Sequence, residues 1–395
     1  MKIKVGVIFG GATVEHEVSI ISAVQAMNHL NKDKYDIYPI YISKDRSWYT
    51  GAMLADIDMY RDFETLKRYA KKVVLFNDNG KFCLQSLGLF KRIVTDLDII
   101  LPVVHGNNVE DGTLQGYLET VGIPYVGSGV LGSSLGQDKV VMKQIFESVG
   151  IKTVPYTWFF ENEYYLDKNE IIKEIKKIGY PVVVKPATLG SSIGITYVKD
   201  EDEIEKAIEE AISYDNKIVV EKAIKNLIEV NCSVLGNYES QQASTLEEVM
   251  STDEFLTYRD KYIGSGKTKG ASKGMASASR IIPARLTDKM TLEVQDIAKS
   301  AFRALNLSGV CRIDFLIDGK SKEIYINEPN TIPGSLSFYL WEATDKPYSE
   351  LLDEMITIAI KQYKSKHKKT FSFDTNILSN FSGTKGVKGV KGKLR

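Results

Sequence analysis

Strand and helix signals alternate from the first residues onward, and this alternation restricts the fold more than any other feature of the chain. KVGVIFGG reads as a strand, VSIISAVQAMNHL as an amphipathic helix, YDIYPIYIS as a second strand and LDIILPVVHG as a buried one; GTLQGYLETVG is a helix and IPYVG a strand. Such a succession argues for a doubly wound parallel sheet over residues 1–138. Ligands of these sheets bind beyond the carboxyl ends of the strands, where Gly10, Gly11, His105 and Gly106 stand. The pattern then changes. DKVVMKQIFESVG and NEIIKEIKKIG are helical, and YPVVVKPATLGSSIGITYV is two strands joined by a Gly/Ser loop. EDEIEKAIEEAISY and KIVVEKAI follow as helix and strand. Residues 139–228 are thus expected to form an α+β unit with a hairpin lid. Residues 229–363 form a third unit of strands, a polar loop and two helices. The fold class is α/β followed by α+β.

At 395 residues the chain exceeds one ordinary core, which agrees with several units. Lys plus Arg balance Asp plus Glu at 51 each, and no basic stripe interleaves with the aromatics. Nucleic acid and a membrane surface are therefore not expected partners. Cys83, Cys232 and Cys311 are odd in number and far apart, so they read as buried reduced thiols. The apolar run at the N-terminus is a strand ending in glycines, and no run is long enough to span a bilayer. The expected location is the cytoplasm. TYRDKYIGSGKTKGASKGMASAS has little to bury and reads as an active-site lid or a disordered loop. Residues 364–395 are a basic tail ending in GTKGVKGVKGK, read as a solvated, disordered extension in preference to an anion-binding arm.

Three features carry chemistry. In YINEPNTIPG, Glu328 and Asn330 are two residues apart on a strand and face the same side. Asp314 interrupts the apolar run VCRIDFLID, and two adjacent antiparallel strands can bring it beside them. Two carboxylates and an amide oxygen form a hard donor set suited to Mg²⁺; for Glu328 alone, a salt bridge to a neighbouring cation explains the residue equally well. Lysines form the second feature: Lys139 opens a helix, Lys185 ends the valine strand and Lys222 follows Glu221. Lys185 precedes GSSIG, whose glycines let backbone N–H groups approach phosphate while the lysine supplies a point charge. This is not a P-loop, and by itself it is also a Gly-rich hairpin turn.

The third feature is the order of these segments. VVVKPATLGSSIG, IVVEKAI, RIDF and NEPNTIPG resemble, in this order and spacing, an ATP-grasp enzyme. GGATVEHEVS and HGNNVEDGTLQG narrow the resemblance to the D-alanine–D-alanine ligase family over residues 1–363. It implies an ATP-grasp fold, ATP with Mg²⁺ (or Mn²⁺ in its place), D-alanine as substrate and a homodimer. Lys139, Lys185 and Ser192 correspond to phosphate-binding residues, and Glu221, Lys222 and Glu229 to the adenine and ribose contacts. Asp314, Glu328 and Asn330 correspond to the metal ligands. Glu15 matches the anchor for the first substrate's ammonium, and Glu15, Ser191 and Tyr262 match a hydrogen-bonded triad. Arg312 and the Gly334 N–H match an oxyanion hole, Lys261 a lid lysine that follows the γ-phosphate, and His105 a histidine near the substrate. Local readings stand beside these: Glu15 as a helix cap, His105 as a satisfied strand-end histidine, and Lys261 and Tyr262 as surface residues.

Three positions depart from the family pattern. Val109 replaces a glycine in HGNNVEDG. Pro329 lies between the two ligands and calls for an edge strand or a bulge. After Gly334 the chain reads SLSFYLWEA, which puts Tyr339 where the serine for the second substrate's carboxylate is expected, with Ser335 or Ser337 as substitutes. A ligase with D-serine or D-lactate as acceptor therefore stands as the alternative, and a non-catalytic nucleotide-binding regulator as a more distant one.

Overall fold

The structure, a computed structural model, describes residues 2–190, 193–250 and 279–370. Ser191, Ser192, Lys261 and Tyr262, together with the loop expected as a lid and most of the basic tail, lie outside the described residues.

The N-terminal sheet has seven strands: β1 (Ile3–Gly10), β2 (Tyr35–Ile42), β3 (Trp48–Thr50), β4 (Lys71–Asp78), β5 (Lys81–Ser86), β6 (Ile93–Leu97) and β7 (Ile99–Val104). Their order is β6-β5-β4-β3-β2-β1-β7. β1 pairs in parallel with β2 and β7, as the alternation predicts. From β3 to β6 the sheet continues as an antiparallel meander, which the alternation did not anticipate. IPYVG makes a single parallel bridge from Tyr125 to Ile100 in place of a strand. Helices α1 (His16–His29), α2 (Phe63–Tyr69) and α3 (Thr113–Val121) complete this part. α1 buries Ile20, Ala23, Val24 and Met27 against the sheet.

The central part holds α4 (Val130–Gln137), α5 (Lys139–Ser148), α6 (Glu161–Leu166), α7 (Lys168–Ile178) and α8 (Ile204–Ile212). Its antiparallel sheet comprises β8 (Tyr156–Phe160), β9 (Val182–Pro186), β10 (Thr196–Val198) and β11 (Lys217–Lys222), in the order β10-β9-β11-β8. Val182, Val184, Ile218 and Val220 share a core with Ile175 of α7 and Ile204 and Ile208 of α8. Strand alternation then sends Lys185 and Glu221 together to the opposite face.

The third sheet has the order β14-β13-β12-β15-β16, with β12 (Leu227–Gly236), β13 (Gln241–Met250), β14 (Ser279–Ile281), β15 (Gly309–Asp318) and β16 (Ile324–Asn330). One face packs on α9 (Asp288–Ala304): Val230, Cys232, Leu246, Ile313, Phe315 and Ile326 share a core with Val294, Ala298 and Phe302. Met142 and Phe146 of α5 join this same core. α10 (Phe338–Glu342) and α11 (Tyr348–Lys366) follow. Trp341, Leu351, Leu352 and Met355 pack into the core of the N-terminal sheet, so α10 and α11 return to the first part of the fold. α11 runs three residues past the expected start of the tail. The three cysteines are free and buried, as expected. No helix among the described residues is long and apolar enough to cross a membrane.

Candidate active site

β16 is an edge strand, as Pro329 requires, and the register slips between the Phe315–Ile326 and Asp314–Glu328 pairs. The slip decides the site. Ile324 and Ile326 face the α9 core, and period-two alternation alone would send Glu328 there too. The extra residue, Asn327, turns Glu328 to the other face, directly opposite Asp314, and Asn330 opposite Arg312. Asn330 Nδ2 donates to Asp314 Oδ2 at 3.1 Å, and Arg312 grips the same carboxylate through Nε at 2.7 Å and Nη2 at 2.8 Å.

Lysines meet these acids from the central part. Lys139, at the first turn of α5, lies 3.1 Å from Glu328 Oε2 and donates to the Leu189 carbonyl at 2.7 Å. Lys185 lies 2.6 Å from Glu221 Oε2, and Lys143, one turn after Lys139, lies 3.1 Å from Glu221 Oε1. Burial penalises the Glu221 charge, yet the two lysines outweigh it and hold the carboxyl at about 2. Glu221 is thus committed to lysines. Lys222 faces the other way and donates to the Gly179 and Tyr180 carbonyls at 2.7 and 3.0 Å, so its side chain is not brought to the site. Glu229, on β12, is near enough to Lys185 to interact with its charge.

The N-terminal part supplies the third wall. Glu15 precedes α1 but makes no side-chain cap, which sets aside the local reading of that residue. Gly106 has φ +84°, and a Cβ there would sit 3.0 Å from Glu15 Oε2 and 2.3 Å from Thr13 Oγ1. Only a glycine lets the loop lie this close to Glu15. His105 is buried; its Nδ1 donates to the Ile332 carbonyl at 2.7 Å and its Nε2 pairs with Ser22 Oγ at 3.1 Å. Burial holds its imidazole at about 4, so it is neutral at pH 7. Glu110 is a residue that the sequence reading quoted without assigning. It accepts from the Gly106 N–H at 2.9 Å, Thr331 Oγ1 at 3.0 Å and the Ile332 N–H at 2.9 Å. Burial, with Glu15 nearby, pushes its carboxyl up to about 7. Val109 is buried in the N-terminal core, and Asn108 before it takes the positive φ of this turn.

These groups converge on a cavity of about 80 Å³, lined among others by Glu15, His105, Gly106, Glu110, Lys139, Arg312, Glu328, Asn330 and Gly334. Ser335, Leu336 and Ser337 all have positive φ. Ser335 Oγ donates to Gln25 of α1 at 2.6 Å, which turns it from the cavity. Ser337 is buried, with no hydrogen-bond partner for its hydroxyl among the described residues. The Tyr339 hydroxyl donates to Glu247 at 2.7 Å.

The family model described as the D-ala D-ala ligase N-terminus matches residues 4–128, and that of the C-terminus residues 145–357. The chain belongs to the D-alanine–D-alanine ligase family. A D-alanine–D-alanine ligase of Thermosipho melanesiensis is 40% identical over 377 residues, covering 95% of this chain and 98% of the relative. Among solved structures, the VanG D-Ala:D-Ser ligase from Enterococcus faecalis matches with TM-score 0.76 and 31% identity, over 91% of this chain and all of that one. The D-alanine–D-alanine ligase from Coxiella burnetii matches with TM-score 0.75 and 30% identity, over 93% and 96%. With such neighbours the fold is that of an ATP-grasp enzyme. Of the lysines and strand acids described above, Lys139 and Glu328 line the cavity, whereas Lys143, Lys185 and Asp314 stand behind it. Lys143 and Glu110 escaped the sequence reading, although a lysine one helical turn after Lys139 was a usable signal.

Proposed function

We propose that this ligase joins two D-alanines with ATP through an acyl phosphate. The observation that carries the reading is the convergence of Glu15, Arg312 and Gly334 with Lys139 and Glu328 on one cavity. The first D-alanine places its ammonium at Glu15 and its carboxylate toward Lys139. A carboxylate oxygen attacks the γ-phosphorus, the bond to the ADP oxygen breaks, and ADP leaves. The amine of a second D-alanine then attacks the acyl carbon, the bond to the phosphate oxygen breaks, and the ammonium proton passes to solvent. Two nitrogens of Arg312 are committed to Asp314, so Nη1 and the Gly334 N–H serve the developing oxyanion. Lys139 and Lys185 offset phosphate charge.

Asp314, Glu328 and Asn330 fit a hard divalent cation by their donor chemistry and their register on neighbouring strands. Bound there, Mg²⁺ or Mn²⁺ neutralises charge on the phosphates. His105 and Ser22 bind no substrate in this reading; they fix the 332–335 loop and with it the Gly334 N–H. The relatives' names favour D-alanine as acceptor over D-serine or D-lactate. The reading carries with it a cytoplasmic homodimer, which sedimentation of the purified chain tests.

The deciding measurement is ADP release with ATP and Mg²⁺, comparing D-alanine, L-alanine, and D-alanine paired with D-serine or D-lactate, with products weighed by mass spectrometry. D-alanine alone is expected to give the dipeptide. Turnover with a mixed pair only would redefine the acceptor, and silence with every D-amino acid would overturn the reading.

A further inference from the structure

The N-terminal sheet ends at β6, and the turn that leads into this edge strand is apolar and exposed. Ser86 closes β5 and Ile93 opens β6, and the residues between them read LGLFKR. Leu89 is fully exposed and Phe90 is 75% exposed, with Leu87, Ile93 and Val94 exposed beside them. Single apolar residues at a surface need no explanation, but a contiguous group marks an interaction surface. The turn is also held in shape. The Ser86 N–H donates to the Arg92 carbonyl at 2.9 Å, and the Arg92 N–H donates to Ser86 Oγ at 3.2 Å. The Arg92 guanidinium lies over the Phe90 ring, 5.6 Å from its centroid.

Cations surround the apolar tip. Val73 of β4 pairs with Ser86, and the Leu87 N–H donates to the Lys72 carbonyl at 2.8 Å, which brings Lys71 and Lys72 beside Leu87 and Gly88. With Lys91 and Arg92 they make four exposed cations. Residues 65–76 and 85–95, the two segments that meet here, contain no Asp or Glu. A balanced total charge therefore conceals a local positive excess around the turn. The combination narrows the occupant. A second copy seated here across a two-fold axis would set the same four cations against themselves. Nucleic acid or an acidic protein would match the charges and leave Leu89 in water. An anionic bilayer takes both, with lipid phosphates at the cations and the acyl boundary at Leu89 and Phe90.

We propose that the turn 87–92, with Lys71 and Lys72, is a reversible contact for an anionic membrane surface. Two signals are needed for such a contact, and this edge supplies both. Two apolar side chains anchor weakly by themselves, and four exposed cations alone are screened by salt. The contact leaves the cavity clear. β1 and β2 are parallel, while β2–β3 and β3–β4 are both antiparallel, so β4 runs in the direction of β1. The turn lies beside the start of β4 and thus on the side of the sheet away from the carboxyl ends of β1 and β7. The proposal goes beyond the ligase reading and does not depend on it.

Co-sedimentation of the full chain with vesicles tests this. Vesicles of phosphatidylglycerol and phosphatidylcholine in equal parts are compared with pure phosphatidylcholine, at low and at high salt. Partitioning onto the anionic vesicles is expected to exceed that onto the neutral ones by about tenfold or more, and to fall with salt. Leu89→Ser combined with Phe90→Ser, and Lys91→Gln combined with Arg92→Gln, are each expected to weaken it by about tenfold or more. Both pairs are exposed, so the melting temperature is expected to hold. Residues 364–395 are the same in parent and variants, so a loss belongs to the turn. Equal partitioning onto both vesicle types, or variants that partition as the parent does, would overturn the proposal. So would tighter binding to duplex DNA than to anionic vesicles at matched phosphate, which would make the cations a nucleic-acid site. A parent dimer that the Leu89 and Phe90 variant dissociates would make a second copy the occupant, and would overturn it too.

Discussion

Glu221 shows how much a single buried carboxylate organises. It sits between Lys143 and Lys185, ion-paired to each and hydrogen-bonded to Lys185. Breaking such a set costs more than the set contributes, because it leaves charge buried without a partner. Glu221→Gln is expected to lower unfolding stability by about 3 kcal/mol or more, since two lysines are left facing a neutral amide. A thermal melt of the variant measures this, and an unchanged midpoint would mean that the lysines find other partners. Glu328 sits at the sheet edge with a partly exposed side chain, and its buried partner Lys139 keeps a hydrogen bond to the Leu189 carbonyl when Glu328 is replaced, so the imbalance is smaller. Glu328→Gln is expected to keep the melting temperature and to lower kcat by roughly a thousandfold, within the range reported for lost electrostatic stabilisation of a transition state. Undiminished kcat at saturating Mg²⁺ would remove Glu328 from the metal site.

The elements that hold these residues depend on close approaches as much as on pattern. β15 begins at Gly309, with φ +74°, where a Cβ would lie 2.9 Å from the Gly127 Cα. The N-terminal part and the third sheet meet there backbone to backbone. Gly309→Ala is expected to cost on the order of 2 kcal/mol from the backbone conformation alone, and to loosen the contact at Gly127. Chemical unfolding of the variant checks the cost; a loss below about 0.5 kcal/mol would show that the loop yields freely. β16 teaches a different lesson. The i, i+2 spacing of Glu328 and Asn330 was legible, and so was the need for an edge or a bulge at Pro329. That an extra residue at Asn327 sets which face the pair occupies was not legible, because register is settled between strands.

At the largest scale, a polar belt joins the N-terminal part to the loop that follows β16. Ser22, His105 and Glu110 of the N-terminal part bond to Thr331, Ile332 and Ser335. Burial shifts His105 down to about 4 and Glu110 up to about 7. Between about pH 4.5 and 6.5 the unfolded chain binds a histidine proton that the folded chain refuses, so His105 makes stability rise with pH. Over the same window the folded chain keeps a Glu110 proton that the unfolded chain has released, so Glu110 makes stability fall. The two slopes oppose each other. Glu110→Gln is therefore expected to make stability rise with pH, relative to the parent protein, by up to about 1.4 kcal/mol per pH unit in this window. Urea midpoints at pH 4.5, 5.5 and 6.5 read this directly, and parallel curves would count against a buried, protonated Glu110. The sequence by itself determined the α/β and α+β order, the parallel strands at the start, and the segments that carry lysines and acids. Those features depend on period and on residues near one another in the chain. Only the tertiary structure decided that Glu221 belongs to two lysines, that Lys222 turns away, and that Tyr339 meets Glu247. Each of those choices depends on strand register and on which distant groups share a buried space, and no local pattern encodes that.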